Sequence, residues 1–130
     1  MKLIVLSLLS VAPLHGQVPS APGAEPKLVA DGYKFTEGPA VDPVGNVYFT
    51  DQPNDRILKW TAATHQVETF LEPAGRSNGL YFDREGQLIA CADAKSELWR
   101  IDPATKKVTV ILDKFDGKLL NGPNDVWVDP

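Results

Sequence analysis

The sequence predicts an all-β fold built from β-propeller blades, about two blades and one further strand. Three observations carry this. Short apolar strands alternate with Gly-, Pro- and Asp-bearing turns from residue 36 onward, and no segment carries a 3.6-residue apolar period. A unit of four such strands returns after 41 residues, a repeat length matching one propeller blade. The opening of the unit then appears a third time, at Asn124-Asp125-Val126-Trp127-Val128-Asp129-Pro130.

The chain has 130 residues, room for one domain. Hydrophobic and charged contents of 43% and 23% are those of a globular protein. A net charge of −4 without a basic patch argues against nucleic acid as a partner. Lys2 followed by the apolar run Leu3 to Leu14 reads as a secretory signal peptide over residues 1–16, too short to span a bilayer. The chain is therefore expected to be secreted or periplasmic, with no membrane association after cleavage. Residues 17–27, rich in Pro, Ala and Gly, read as a poorly ordered leader. Residues 28–35 alternate weakly and suggest a short strand that could close a propeller ring.

The first blade is expected over 37–72. Val41 and Val47-Tyr48-Phe49 flank the turn Asp42-Pro43-Val44-Gly45; Ile57 to Trp60 and Gln66 to Leu71 follow on either side of a second turn. The second blade, 78–113, repeats Gly38, Asp42, Gly45, Ala63, Thr64, Val67 and Leu71 as Gly79, Asp83, Gly86, Ala104, Thr105, Val108 and Leu112. These identities fall on turns and strand ends, where backbone geometry restricts the residue. After five extra residues within 113–123, residues 124–130 read as the first strand of a third blade. A blade cannot bury its faces alone. The chain is thus expected to be an N-terminal piece of a longer propeller, unstable and inactive by itself. Three copies closing a ring are disfavoured, because the third-blade strand would lack a partner.

The first residue of each inner strand stands at one end of the central channel, so equivalent residues of successive blades converge there. Those residues are Glu37, Asn78 and Asn124. A carboxylate with neutral amide carbonyls is a hard oxygen set suited to Ca²⁺, Mg²⁺ or Mn²⁺. The competing readings are local: Glu37 as an exposed loop carboxylate, and Asn78 or Asn121, each followed by Gly, as turn formers.

Glu37-Gly38-Pro39, Val47-Tyr48-Phe49-Thr50-Asp51 with Arg56-Ile57, and Leu120-Asn121-Gly122-Pro123-Asn124-Asp125-Val126 resemble the gluconolactonase, senescence-marker-protein-30 and luciferin-regenerating-enzyme family over about residues 31–130. The resemblance implies a six-bladed propeller with one divalent cation in its channel, calcium first and Mg, Mn or Zn as alternatives. It implies hydrolysis of a small-molecule lactone to the hydroxy acid. By the same resemblance Glu37 and Asn124 are metal ligands, and Asn78 and Asn121 are substrate-binding. Animal members carry an arginine where this chain has Gly122, so that sugar contact is not carried over. The family's catalytic aspartate falls beyond Pro130, and no general base is assigned. A non-catalytic propeller that binds a protein or polysaccharide is the alternative, and a paraoxonase-like or strictosidine-synthase-like esterase is a third.

Other signals are discounted. Gly75-Arg76-Ser77-Asn78-Gly79 fits G-x-S-x-G, but a strand rather than a helix follows it, and no histidine is placed to serve Ser77. Cys91, the single cysteine, sits in an apolar run and reads as an inert buried thiol. His65 reads as solvated, Trp60, Trp99 and Trp127 as blade packing, and Asp51 as facing either a turn or the channel.

Overall fold

The computed structural model describes residues 23–129, so the signal-peptide reading lies outside the described residues. The leader is described only from Gly23, and residues 23–29 are exposed and without strand.

Two four-stranded antiparallel sheets follow one another. The first holds β1 (Thr36–Val41), β2 (Val47–Asp51), β3 (Arg56–Thr61) and β4 (Gln66–Leu71) in that order. The second holds β5 (Ser77–Phe82), β6 (Leu88–Ala92), β7 (Glu97–Ile101) and β8 (Val108–Leu112), again in chain order. Each sheet is a meander of four neighbouring strands, the architecture of a propeller blade.

The repeated aspartates explain why the hairpins recur. Asp42 Oδ1 accepts the backbone N–H groups of Val44 and Asn46, at 3.0 and 2.9 Å. Its Oδ2 accepts the Asn46 amide at 2.8 Å. Asp83 does part of this in the second blade, accepting Gln87 N at 2.8 Å. A short carboxylate that captures its own downstream amides fixes a turn locally. Asn46 then reaches across to the next hairpin, its Oδ1 accepting Ala62 N at 3.0 Å.

The core lies between the blades. Ala40, Tyr48, Ile57 and Phe70 of the first sheet meet Leu80, Leu88, Ala90 and Ile101 of the second, all buried. Tyr48 is the centre of this layer, with Phe70 and Phe82 edge-on at 4.9 and 5.1 Å between centroids. Edge-to-face pairs at this separation add to the area they bury. Strand β6 is buried along its whole length, which accounts for its unbroken apolar run. Strand β8 is exposed throughout.

Three expectations change. Residues 28–35 form no strand. Tyr33 instead packs edge-on against Phe49 at 5.6 Å, and Lys34 N and Phe35 N donate to Asp51 Oδ1 at 3.0 and 3.3 Å. Both amides are thus held by a side chain, which a ladder would not permit. The extra residues after β8 make a small hairpin of β9 (Lys114–Phe115) and β10 (Lys118–Leu119). Residues 120–129 form no strand, because no described strand pairs with them; two backbone bonds hold them, Leu120 N to Asp113 O at 3.1 Å and Gly79 N to Asn124 O at 2.7 Å, the second reaching the inner strand of the second blade. Trp127 is accordingly 67% exposed rather than packed. Trp99 packs against the core and donates to Glu97 Oε2 at 2.6 Å, and Trp60 stacks on exposed His65 at 5.6 Å.

Candidate active site at the inner-strand ends

The inner strands β1 and β5 carry the same irregularity. The register of β1 on β2 shifts between Glu37 and Ala40, and that of β5 on β6 shifts between Ser77 and Leu80. A bulge bends a strand and re-aims the side chains within it. The first bulge takes in Gly38 and Pro39, just after Glu37, which still pairs with Thr50; the second takes in Asn78 and Gly79, so both fall at the opening of the repeat, at the same end of successive blades.

Main-chain contacts then bring the repeat openings together. The buried hydroxyl of Thr50 lies 3.1 Å from the carbonyl oxygen of Glu37 and 3.2 Å from that of Asn78, sharing its one proton between them. Asn124 joins through its carbonyl, which accepts Gly79 N. The glycines make this approach possible. A Cβ on Gly38, whose φ is +59°, would strike the Asn78 carbonyl and lie 2.9 Å from Gly79 Cα. A Cβ on Gly79 would strike Asp125 and lie 2.9 Å from Asn124 O. Only a residue without a side chain fits either place.

A cavity of about 220 Å³ opens at this junction, lined by Glu37, Gly38, Pro39, Gly79, Leu80, Asn124 and Asp125. The structure therefore brings Glu37 and Asn124 to one wall. Asn78 is buried within its bulge and Asn121 is exposed on the loop that leads in; neither lines the cavity. Asp125 does, and the sequence reading passed over it. It occupies the repeat position that Gly38 and Gly79 hold in the first two blades, so a carboxylate in place of that glycine was the available signal.

The oxygen-bearing side chains among the lining residues are two carboxylates and an amide, donor types that suit a divalent cation. Among the described residues no three His, Cys, Asp or Glu side chains cluster as a metal centre.

Neighbouring groups have other tasks. Burial acts to raise the pKa of Asp51, but hydrogen bonds from Asn54, Arg56, Phe35 N and Lys34 N outweigh it and hold the carboxyl at about 2. Its role is the turn: Asn54 Nδ2 donates at 2.7 Å and Arg56 pairs with it at 2.8 Å. Ser77 is buried and donates to Ala74 O at 2.6 Å, an internal turn bond rather than a nucleophile's arrangement. Burial, helped by the charge of Asp125, pushes the buried Cys91 thiol up to about 11.

Comparison with known proteins adds the family. The chain is 28% identical to a gluconolactonase of Zymomonas mobilis, over 78% of this chain and 32% of that protein. A crystal structure of a protein assigned as a gluconolactonase superposes with a TM-score of 0.78 at 36% identity, covering 85% of this chain and 38% of the other. The gluconolactonase of Xanthomonas campestris superposes at 0.70 with 26% identity, covering 75% and 32%. This chain thus spans about a third of the length of these relatives. The family model described as the SMP-30/Gluconolactonase/LRE-like region matches residues 35–130, and the chain belongs to that family, as part of its β-propeller.

Proposed function

We propose that this chain supplies part of a lactone hydrolase, which opens a cyclic ester with water to give a hydroxy acid. The observation that carries the reading is the one cavity that Glu37 and Asn124 both line, in a chain whose relatives are gluconolactonases. In this reading Glu37 and Asn124 are donors to one divalent cation, calcium first, with Asp125 beside them. Bound there, a cation would polarise the ester carbonyl and stabilise the oxyanion that forms as water adds. The chain's own contribution is to hold the donors rigidly: Thr50 and Gly79 fix the backbones on which they stand. Asn78 and Asn121 are assigned to substrate binding at the rim.

The chain by itself is proposed to be inactive, since among the described residues its cavity presents only one Glu, one Asp and one Asn as polar side chains. Secretion or periplasmic export is proposed from Lys2 and the apolar run behind it.

The test is hydrolysis of glucono-1,5-lactone by the protein that carries this chain, before and after EDTA, with Glu37→Gln beside the wild type. Activity that requires a divalent ion and falls at least ~100-fold in Glu37→Gln supports the reading. A protein that turns over no lactone and binds no divalent ion is instead a binding scaffold.

A further inference from the structure

The pair Asn-Gly occurs twice in the chain, at Asn78-Gly79 and at Asn121-Gly122. This pair has a chemistry of its own. The amide nitrogen of the glycine can attack the side-chain carbonyl carbon of the asparagine before it, and a glycine, having no Cβ, hinders that approach least. Attack needs an asparagine side chain free to turn toward the main chain, a glycine N–H not already engaged as a donor, and water within reach. The two pairs differ in each respect.

Asn78 is buried within strand β5. The N–H of its glycine is taken by Asn124 O at 2.7 Å, and its own carbonyl accepts the Thr50 hydroxyl at 3.2 Å. Asn121 is exposed and belongs to no strand. Among the described residues the Gly122 N–H donates to no backbone carbonyl. Gly122 stands at φ +53°, where glycine is favoured, and Asp93 Oδ1 occupies the space that a Cβ would take. The fold thus asks for glycine at position 122, and that choice leaves Asn121 beside the least hindered nucleophile.

The position of the pair gives the chemistry a consequence. On one side, Leu120 N donates to Asp113 O at 3.1 Å and closes the base of the β9–β10 hairpin. On the other, Asn124 O holds Gly79 N. Asn121 and Gly122 lie between these anchors, and Asn124 and Asp125 line the cavity at the second one. A change in main-chain length at position 121 is therefore felt at one anchor or the other.

We propose that Asn121 is a site of spontaneous modification, converted in the native protein to aspartate and isoaspartate while Asn78 is spared. The Gly122 nitrogen forms a bond to Asn121 Cγ, the bond from Cγ to the side-chain nitrogen breaks, and ammonia leaves with the proton of the Gly122 N–H. Water then opens the cyclic imide. Addition at Cγ breaks the new bond and gives aspartate with the main chain intact. Addition at the Asn121 backbone carbonyl carbon breaks its bond to the Gly122 nitrogen and gives isoaspartate, whose main chain runs through Cβ and Cγ. Water is the only co-reactant, and no electrons are transferred. Both products carry a carboxylate where a neutral amide stood. Isoaspartate also inserts an extra carbon between the two anchors, which loosens the bond from Gly79 to Asn124. The proposal stands apart from the lactone-hydrolase reading, since it uses neither metal nor substrate.

The experiment incubates wild type and Asn121→Gln, in the protein that carries this chain, in native mildly alkaline buffer and maps both by tryptic digestion with tandem mass spectrometry. Asn78 is read in the peptide Ser77–Arg84, and Asn121 in the peptide that begins at Leu119. The expected result is conversion at 121 to a mixture of aspartate and isoaspartate. Its rate rises by up to about tenfold per pH unit, as the deprotonated fraction of the Gly122 amide does. Asn78 converts at least ~10-fold more slowly in the native protein, and the two converge once guanidinium unfolds it. In Asn121→Gln, whose side chain would have to close a larger ring, position 121 stays unmodified. An Asn121 that stays intact in the native wild type overturns the assignment, and so does equal conversion of Asn78 and Asn121 there. The isoaspartate fraction is then separated by ion exchange and its amide hydrogen exchange is measured at Gly79. Exchange ~5-fold faster than in the unmodified protein is expected from the weakened bond to Asn124. Unchanged exchange at Gly79 would overturn the link to the cavity.

Discussion

Replacing Asp51 with Asn tests how the segment before the first blade is held. Asp51 is wholly buried and gathers Lys34 N, Phe35 N, Asn54 Nδ2 and the Arg56 guanidinium on two oxygens. The depression of its pKa from 3.8 to about 2 corresponds to about 2 kcal/mol of folded-state stabilisation of the charged form. Asn keeps the shape but carries no charge and turns an N–H₂ toward donors, so the loss is at least that large. Much of it falls on residues 33–35, which no strand ladder holds. About 2 kcal/mol raises the open population of that segment ~30-fold. Trypsin reads this directly, because Lys34–Phe35 is a cleavage site. Cleavage there is expected to accelerate ~30-fold at pH 7 in Asp51→Asn, while cleavage after Lys27, which is exposed in both proteins, keeps its rate. The pH dependence follows with a definite sign. The folded pKa lies below the unfolded one, so the stabilisation is complete above about pH 4 and is lost as pH falls through about 2. Acid unfolding followed by tryptophan fluorescence should show this limb in wild type and not in Asp51→Asn. Equal cleavage rates at Lys34–Phe35 in the two proteins would refute the clamp.

Gly79→Ala should cost about 2–3 kcal/mol, since its Cβ would meet the backbone at Asp125 Cα and Asn124 O even if the Asp125 side chain swung aside; a fall in Tm of several degrees would show it, and an unchanged Tm would mean that the inner-strand contact is loose. The Cys91 thiol, pushed up to about 11, should not react with a disulfide reagent at pH 8 in the native protein and should react fully once guanidinium unfolds it. Native-state labelling at the rate of a free thiol would contradict its burial.

The blades were legible in the sequence because their turns are local. Asp42 and Asp83 capture amides a few residues downstream, so the same letters recur wherever the same hairpin does. The segment at 28–35 was misread for the opposite reason. Its amides bind Asp51 sixteen and seventeen positions away, and no periodicity records such a bond. Trp127 was taken for packing because Trp commonly packs, yet burial depends on a neighbouring strand that its own letters do not contain. At the cavity, the repeat singles out Glu37 and Asn124 together with Asn78, and only the family resemblance separates their expected roles. Asp125 is not singled out, since it replaces a glycine of the repeat.

The junction of the inner strands is held by the Thr50 hydroxyl on two main-chain carbonyls, one amide on the Asn124 carbonyl, and the close approach that Gly38 and Gly79 allow. The side chains of Glu37, Asn78 and Asn124 take no part in that fastening. Evolution can therefore exchange them one at a time without loosening the scaffold, and a new donor appears in a seat already built to hold it. Variation at these three positions beside constancy of Gly38 and Gly79 would then be the signature of this lineage, with change arising by replacement at three seats rather than by rebuilding the strands.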